Sequence, residues 1–246
     1  MSNGTKMFKK VKGAKKLAHN LRAMFNYRIG FYQFGVFEES GIKTLADLKG
    51  KRVFIGPPAT VQRVVAGGFV QAATGLVPGK DYKLVKLGFG PAMQAFQDRQ
   101  LDVLVATSNP PAANFVQAAL TSKIRFLGAT DADWAKPAMK KLMRVPGRTR
   151  GQFAPDAYGS NQTNTKPIQT VAAWVGLVTR KDIPDAVIYK MTKTFWEHID
   201  EMYSVAPWAK DAIKMESAFT QMNMKLHPGA LRYYKEKGVK VPQKVM

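Results

Sequence analysis

The sequence contains no cysteine, only three histidines, and 17 acidic residues against 38 lysines and arginines. The absence of cysteine excludes a disulfide framework, a thiolate metal site and a cysteine nucleophile. The histidines, His19, His198 and His227, are too far apart in the chain to suggest a histidine-rich metal site. We therefore expect no metal and no cofactor.

Long apolar runs are also missing. The uncharged stretch 103–122 is long enough to span a bilayer, but Thr107-Ser108-Asn109-Pro110-Pro111 interrupts it. Prolines and polar groups without internal partners do not fit into hydrocarbon. The basic first 28 residues are not followed by an apolar run with a small-residue cleavage site. We expect neither a membrane anchor nor a secretory signal in the chain as given.

The composition is that of a globular protein, with 246 residues of which 46% are hydrophobic and 22% charged. The net charge of +21 raises the hypothesis of a protein that binds nucleic acid or an anionic surface. The basic residues fall into three separate clusters, around 6–16, 136–150 and 225–244, and no nucleic-acid-binding module is recognisable. We therefore expect no nucleic-acid partner and keep this hypothesis as an alternative.

Strand-like and helix-like segments alternate along the chain, which predicts an α/β fold with a parallel or mixed sheet. The apolar runs 52–56 and 103–106 each read as a strand, and each is followed by a helix. The first of these helices opens at Thr60 and the second at Pro111. The segment 144–167 is rich in Arg, Gly, Pro, Asn and Thr and predicts a long exposed loop or a crossing between lobes.

Several motifs resemble the TAXI-type solute receptors of TRAP transporters. They are LADLKGKRV at 45–53 with the following Gly56-Pro57-Pro58, the segment 92–110, and HPGALRYY at 227–234, in that family's order. The resemblance implies a two-lobed α/β fold of the periplasmic-binding-protein type II class. It divides the chain into 1–52 (remainder of lobe 1 with a crossing segment), 53–145 (lobe 2), and 146–246 (return crossing and lobe 1 helices).

The same resemblance implies that an N-terminal part is absent. Members of that family begin with a signal peptide and a first α/β unit of lobe 1, and neither is found in this sequence. We expect an N-terminally incomplete receptor, which leaves a non-binding remnant as a further alternative.

Two loops at the carboxyl ends of predicted strands are the candidate ligand site. A helix N-terminus after a strand offers free N–H groups and a favourable dipole to a carboxylate, and ligands of open α/β sheets gather at such ends. A crossing loop supplies a third candidate from the cleft wall. The predicted ligand-binding residues are Pro58, Ala59, Thr60, Thr107, Ser108, Asn109, Pro110 and Tyr158.

Each loop taken alone is explained equally well as a strand-to-helix turn with a capping residue. The receptor family tends to have Gly-Ser-Gly-Thr after Gly56-Pro57-Pro58, where this chain has Ala59-Thr60-Val61-Gln62. This departure puts the backbone-amide cradle of the family in doubt and leaves the Thr60 hydroxyl as a possible ligand contact. For Tyr158 the alternative is an ordinary, partly buried tyrosine.

No catalytic motif is present, because Ser108 lacks a G-x-S-x-G elbow and Gly88-Phe89-Gly90 lacks the further glycines of a dinucleotide fingerprint. We expect no enzyme. The resemblance implies an extracytoplasmic, periplasmic subunit that captures a small organic anion or amino acid, such as glutamate or a dicarboxylate. Its partners would be the ligand and the membrane permease subunits of a TRAP transporter.

Overall fold

The computed structural model describes residues 12–246. The chain forms two compact units, one of Ile29–Ala173 and one that combines the chain up to Arg28 with Trp174–Met246. It passes from one unit to the other twice, each time inside a strand. The lobe boundaries predicted at 52/53 and 145/146 stay a prediction.

Strands and helices alternate through the larger unit, and further helices belong to the smaller one. The strands are β1 (Leu21–Phe37), β2 (Arg52–Phe54), β3 (Lys83–Leu84), β4 (Val103–Ser108), β5 (Ile124–Leu127), β6 (Arg148–Phe153) and β7 (Ile168–Arg180). The helices are α1 (Ala14–His19), α2 (Val61–Thr74), α3 (Phe89–Gln97), α4 (Ala113–Thr121), α5 (Asp131–Ala135), α6 (Pro137–Met143), α7 (Asp185–Glu197), α8 (Ile199–Val205), α9 (Ala209–Ala212) and α10 (Pro228–Glu236).

The seven strands found in residues 12–246 belong to one mixed sheet, in the order β3-β2-β4-β1-β7-β6, with β5 also paired to β1. Strand β2 runs parallel to β3 and β4. Strand β1 is antiparallel to β4 and β5, and β6 is antiparallel to β7. The predicted α/β class with a mixed sheet is confirmed.

Side chains of β1 alternate between two hydrophobic clusters of the larger unit, as the twofold period of a strand requires. Tyr32, Phe34 and Val36 pack in a cluster with α2, α5 and α6. Phe31 and Phe37 belong to the other cluster, which contains α3 and α4. Helices therefore cover both faces of this sheet.

Helices α7 and α10 form the core of the smaller unit. A Cβ on Gly229 would lie 2.2 Å from the Asp185 carbonyl oxygen, so the two helices approach at backbone distance. Trp196 donates to the Tyr234 hydroxyl, which in turn donates to the Met24 carbonyl. The HPGALRYY stretch at 227–234, one of the motifs that carry the family resemblance, is therefore a packing element here.

Of the two alternatives predicted for the segment 144–167, the exposed loop is wrong, and the crossing between lobes stays a prediction. The segment 144–167 is not a continuous exposed loop, because β6 forms inside it and pairs with β7 from Arg148↔Ala173 to Phe153↔Ile168. The two buried residues of β6 are its first and last, Arg148 and Phe153, and the residues between them are polar or glycine. A strand with an arginine at a buried position does not show the alternation of apolar and polar residues that predicts strands.

Within residues 12–246 no helix is both long enough and apolar enough to cross a membrane.

Candidate ligand site

The two predicted loops follow neighbouring strands, but the second loop starts later than predicted: Thr107 and Ser108 are the last two residues of β4, where the pairing with β1 extends the strand. Strands β2 and β4 are parallel and paired, with Phe54 opposite Leu104, so the loops that follow them leave the same edge of the sheet. Gln62 in the first turn of α2 donates to the Val105 carbonyl of β4 at 2.8 Å. This bond fixes the start of α2 against β4.

The first loop ends in a helix cap. The Thr60 hydroxyl accepts a hydrogen bond from the Arg63 amide at 3.3 Å and donates to the Pro57 carbonyl at 2.8 Å. Ala59 has a φ of 61°, the left-handed conformation that L-residues rarely adopt. Thr60 thus has the capping role that the alternative interpretation gave it, and the start of α2 carries the partial positive charge of a helix N-terminus.

A buried polar network holds the second loop. The Gln33 amide, fully buried in β1, donates to the Ser108 carbonyl and to the Ser108 hydroxyl, both at 2.9 Å. Its carbonyl oxygen accepts a hydrogen bond from the Tyr158 hydroxyl. That hydroxyl also accepts from the Ala112 amide at 3.0 Å. The structure therefore brings Ser108 and Tyr158 together through a glutamine that the sequence interpretation missed.

Tyr158 is only 7% exposed and its ring stacks on Phe126, with centroids 4.8 Å apart. Burial raises the pKa of its hydroxyl above the usual range. The hydroxyl is occupied on both sides by Gln33 and the Ala112 amide. In this structure Tyr158 positions the loop that follows β4; direct contact with a ligand stays a prediction.

Asn109 lies next to this network. Its amide nitrogen donates to the Ile29 carbonyl at 3.3 Å, and its Oδ1 is buried with no hydrogen-bond partner among the described residues. The following Pro110–Pro111 peptide bond is cis. An unpaired buried polar atom costs free energy. Asn109 Oδ1 and the nearby Thr107 hydroxyl are both buried without a hydrogen-bond partner in residues 12–246 and therefore have unused binding capacity.

Thr107 lies opposite Tyr32 in the pairing of β4 with β1. Burial raises the pKa of Tyr32 to about 12, although Arg148 and Thr107 act in the opposite direction. Tyr32 and Arg148 were not among the predicted residues. A tyrosine in an aromatic run and an arginine in a polar segment carry no signal of their own. Only the strand register places Tyr32 opposite Thr107 and Arg148 opposite Ala173.

A pocket of about 220 Å³ lies elsewhere in the larger unit, at the end of β5 and the start of β7. None of its lining residues is a predicted ligand-binding residue. Of its three cations, Lys43, Arg125 and Lys166, the first two are already paired with Glu38. We favour the two strand-end loops, because their polar groups converge from neighbouring strands.

Among residues 12–246, no group of three or more histidine, aspartate or glutamate side chains is arranged to hold a metal ion.

A mixed sheet with helices on both faces and polar loops at adjacent strand ends is the arrangement of an α/β ligand-binding protein. The model of the NMT1-like family matches residues 2–238, and the chain belongs to that family.

Distant likenesses exist among solved structures. The aliphatic sulphonate binding protein SsuA from Escherichia coli is 17% identical, with 94% of this chain and 69% of that chain covered and a TM-score of 0.40. A TRAP periplasmic solute binding protein from Desulfovibrio salexigens with bound orotic acid is 14% identical, with 98% and 55% covered and a TM-score of 0.41. A putative sulfonate-binding SsuA from Methylobacillus flagellatus KT is 12% identical, with 95% and 66% covered and a TM-score of 0.46. The chain spans between 46% and 69% of the length of the structures it matches.

Proposed function

We propose that the protein is the extracytoplasmic solute-binding subunit of a TRAP-type transporter, of the TAXI subfamily, and that it captures a small organic anion or amino acid of the glutamate or dicarboxylate kind. One observation carries the proposal: the parallel strands β2 and β4 are paired, and each leads at its carboxyl end into a polar loop and then a helix. Membership of the NMT1-like family supports the same class.

The site favours an anion on electrostatic grounds. The N-terminus of α2 attracts negative charge, since its first N–H groups lack acceptors within the helix. The net charge of +21 adds a long-range attraction for anionic solutes. The free Oδ1 of Asn109 is an acceptor, so in this proposal it takes a donor group of the solute, such as the ammonium of an amino acid. These groups bind and orient a solute, and none of them is arranged for a chemical step.

The partner and the compartment follow from the family resemblance of the motifs at 45–58, 92–110 and 227–234. In this proposal the protein works in the periplasm and delivers its solute to the membrane permease subunits of the transporter.

A thermal-shift screen of the purified chain against organic acids and amino acids tests the proposal. A ligand present at 100 times its dissociation constant stabilises the folded state by about 2.7 kcal/mol, which is a readily measured shift of the melting temperature. Binding should then be confirmed by calorimetry. If no acid or amino acid stabilises the chain while duplex DNA binds with a steep salt dependence, the basic nucleic-acid alternative replaces the proposal.

The variant Asn109→Ala localises the site. It should weaken solute binding about tenfold while the melting temperature of the free protein changes little, because the side chain makes a single 3.3 Å hydrogen bond. Asn223→Ala is the matched control, since Asn223 is exposed and lies in the smaller unit. Unchanged affinity in Asn109→Ala would remove the loop after β4 from the site.

A further inference from the structure

The pocket of about 220 Å³ at the end of β5 and the start of β7, called the β5–β7 pocket below, lies apart from the two candidate loops. Arg125, one of its lining residues, is opposite Val36 of β1, whereas Ser108, just before the second loop, is opposite Phe31. Positions 31 and 36 of β1 are about 17 Å apart at about 3.4 Å per residue. The β5–β7 pocket is therefore a separate place in the larger unit.

Three cations from three different segments line this pocket. Lys43 comes from the connection between β1 and β2, Arg125 from β5, and Lys166 from the loop that precedes β7. No aspartate or glutamate is among the lining residues. The cavity wall thus carries three positive charges and no negative one.

Glu38, next to the pocket, offsets one of these three charges. Its carboxylate accepts hydrogen bonds from Arg125 Nε at 2.7 Å and Nη2 at 3.0 Å, and also from Lys43 and the Thr163 hydroxyl. Arg125 Nη1 donates no hydrogen bond within residues 12–246. Lys166 is exposed and pairs with no acidic residue of that part of the chain, and residues 1–11 contain no acid. Three cations against one carboxylate leave a net charge of +2 around the cavity.

A second carboxylate near the lining does not change this balance. Asp131 Oδ1 accepts a hydrogen bond from Gln169 Nε2 at 3.4 Å, and it is also paired with Arg150. The aspartate and the arginine cancel each other, so the charge of +2 around the β5–β7 pocket remains.

Hydrogen bonds fix the walls of the pocket. The Asn164 side chain accepts from the Phe126 amide at 2.9 Å and donates to the Phe126 carbonyl at 3.0 Å, as the backbone of a neighbouring strand would. On the other side of the cavity, the Ala129 amide donates to the Gln169 carbonyl at 2.9 Å. The loop that carries Lys166 is therefore tied to β5, and binding here needs little ordering of the backbone.

We propose that the β5–β7 pocket binds a small tetrahedral dianion of the phosphate class, either free phosphate or the phosphoryl group of a monoester. A dianion matches the net charge of the cavity. Two of the three cations are lysines, which bind phosphoryl oxygens as point charges, and cations from three segments surround a tetrahedral group better than a planar one. A carboxylate would need the planar fork of Arg125, which Glu38 already occupies.

This inference goes beyond the proposed function and does not depend on it, because the pocket shares no lining residue with the candidate loops. It assigns the protein a second ligand, of a different chemical class from the solute.

Equilibrium dialysis of the full chain with radiolabelled phosphate tests the inference, at constant ionic strength and at a slightly alkaline pH where phosphate is mainly a dianion. The variant is Lys166→Gln, and the matched control is Lys86→Gln, another exposed lysine of the larger unit without an ion pair in residues 12–246. The dissociation constant should rise about tenfold in Lys166→Gln, as loss of a charge-assisted contact predicts. It should stay within about twofold of the wild type in Lys86→Gln.

Competition by unlabelled anions defines the ligand class. Acetate, with one charge on a planar group, should compete at least about tenfold more weakly than phosphate. Glycerol 3-phosphate separates the two sources of the group: stronger competition than by phosphate supports a monoester, and weaker competition supports the free ion. Acetate that competes as well as phosphate would overturn the assignment to the phosphate class.

Three further results overturn the inference. The first is a wild-type chain that binds no phosphate. The second is an equal loss of affinity in Lys166→Gln and Lys86→Gln, which would mean that phosphate responds only to the net charge of the chain. The third is weaker phosphate binding in Asn109→Ala with none lost in Lys166→Gln, which would place the anion at the candidate loops. The proposed function is tested with acids and amino acids, so either proposal can fail alone.

Discussion

Gly30 of β1 faces the backbone of Ser108 in β4 so closely that a Cβ on Gly30 would lie 2.1 Å from the Ser108 carbonyl carbon. Gly30 also has a φ of 144°, which favours glycine. The two strands therefore meet at backbone distance where the second candidate loop begins.

Gly30→Ala should lower the free energy of unfolding by at least about 2 kcal/mol, because both the clash and the backbone conformation oppose a side chain. Gly88→Ala is the matched control, since its φ is −76° and its Cβ would meet only Pro91 Cδ at 3.8 Å. Urea denaturation followed by circular dichroism measures both. Equal effects in the two variants would contradict the close approach.

Tyr158→Phe removes the hydroxyl that links Gln33 to the Ala112 amide. Two buried polar groups then lose a partner, which should cost about 1–3 kcal/mol of folding free energy. Tyr189→Phe is the control, because that hydroxyl bonds to Glu236 at an exposed position. If Tyr158→Phe is as stable as the wild type but binds the solute more weakly, Tyr158 contacts the ligand directly.

Glu38 makes stability depend on acid pH. Its carboxylate accepts hydrogen bonds from Arg125, Lys43 and Thr163, and the Arg125 contact is the main cause that lowers its pKa from 4.5 to about 2. Because the folded-state pKa is depressed, the stabilisation is complete above pH 4.5 and is lost as the pH falls from 4.5 towards 2. Glu38→Gln should therefore be less stable than the wild type at pH 7, and the difference should shrink on acidification.

Melting temperatures measured from pH 2 to 7 check this. Glu39→Gln is the control, because the neighbouring Glu39 is exposed and pairs with Arg99 at the surface. A constant difference between the wild type and Glu38→Gln over the whole range would show that Glu38 is not held in its ionised form by the fold.

The hydroxyl of Thr60 caps α2, so Thr60→Ala should destabilise the protein by about 1 kcal/mol. Thr60→Ser keeps the hydroxyl and should restore stability to near the wild-type value. The solute dissociation constants of the same two variants show whether the Thr60 hydroxyl only caps α2 or also contacts the solute. If Thr60→Ala weakens binding without loss of stability, the hydroxyl serves the ligand.

The α/β class and the positions of the two strand-to-helix loops could be predicted because both depend on local patterns, namely apolar runs followed by turn residues. The start of the second loop could not, since Thr107 and Ser108 stay in β4 through pairing with the distant strand β1. Strand β6 could not be predicted either, since the buried position there is an arginine whose role depends on neighbours from distant strands. Gln33 had a usable signal: it is a single amide in an aromatic strand run, and a buried amide requires a partner. The partner is Tyr158, which lies 125 residues away in the chain, so only the tertiary structure identifies it.

The larger unit is one continuous stretch of chain, Ile29–Ala173, whereas the smaller unit is assembled from residues on both sides of it. The two junctions lie in β1 and β7, which are neighbours in the sheet. During synthesis the inserted unit is complete when residue 173 has left the ribosome, but the other core still lacks α7 and α10. Synthesis from the N-terminus therefore completes the unit that carries the candidate loops before the smaller unit can form its core.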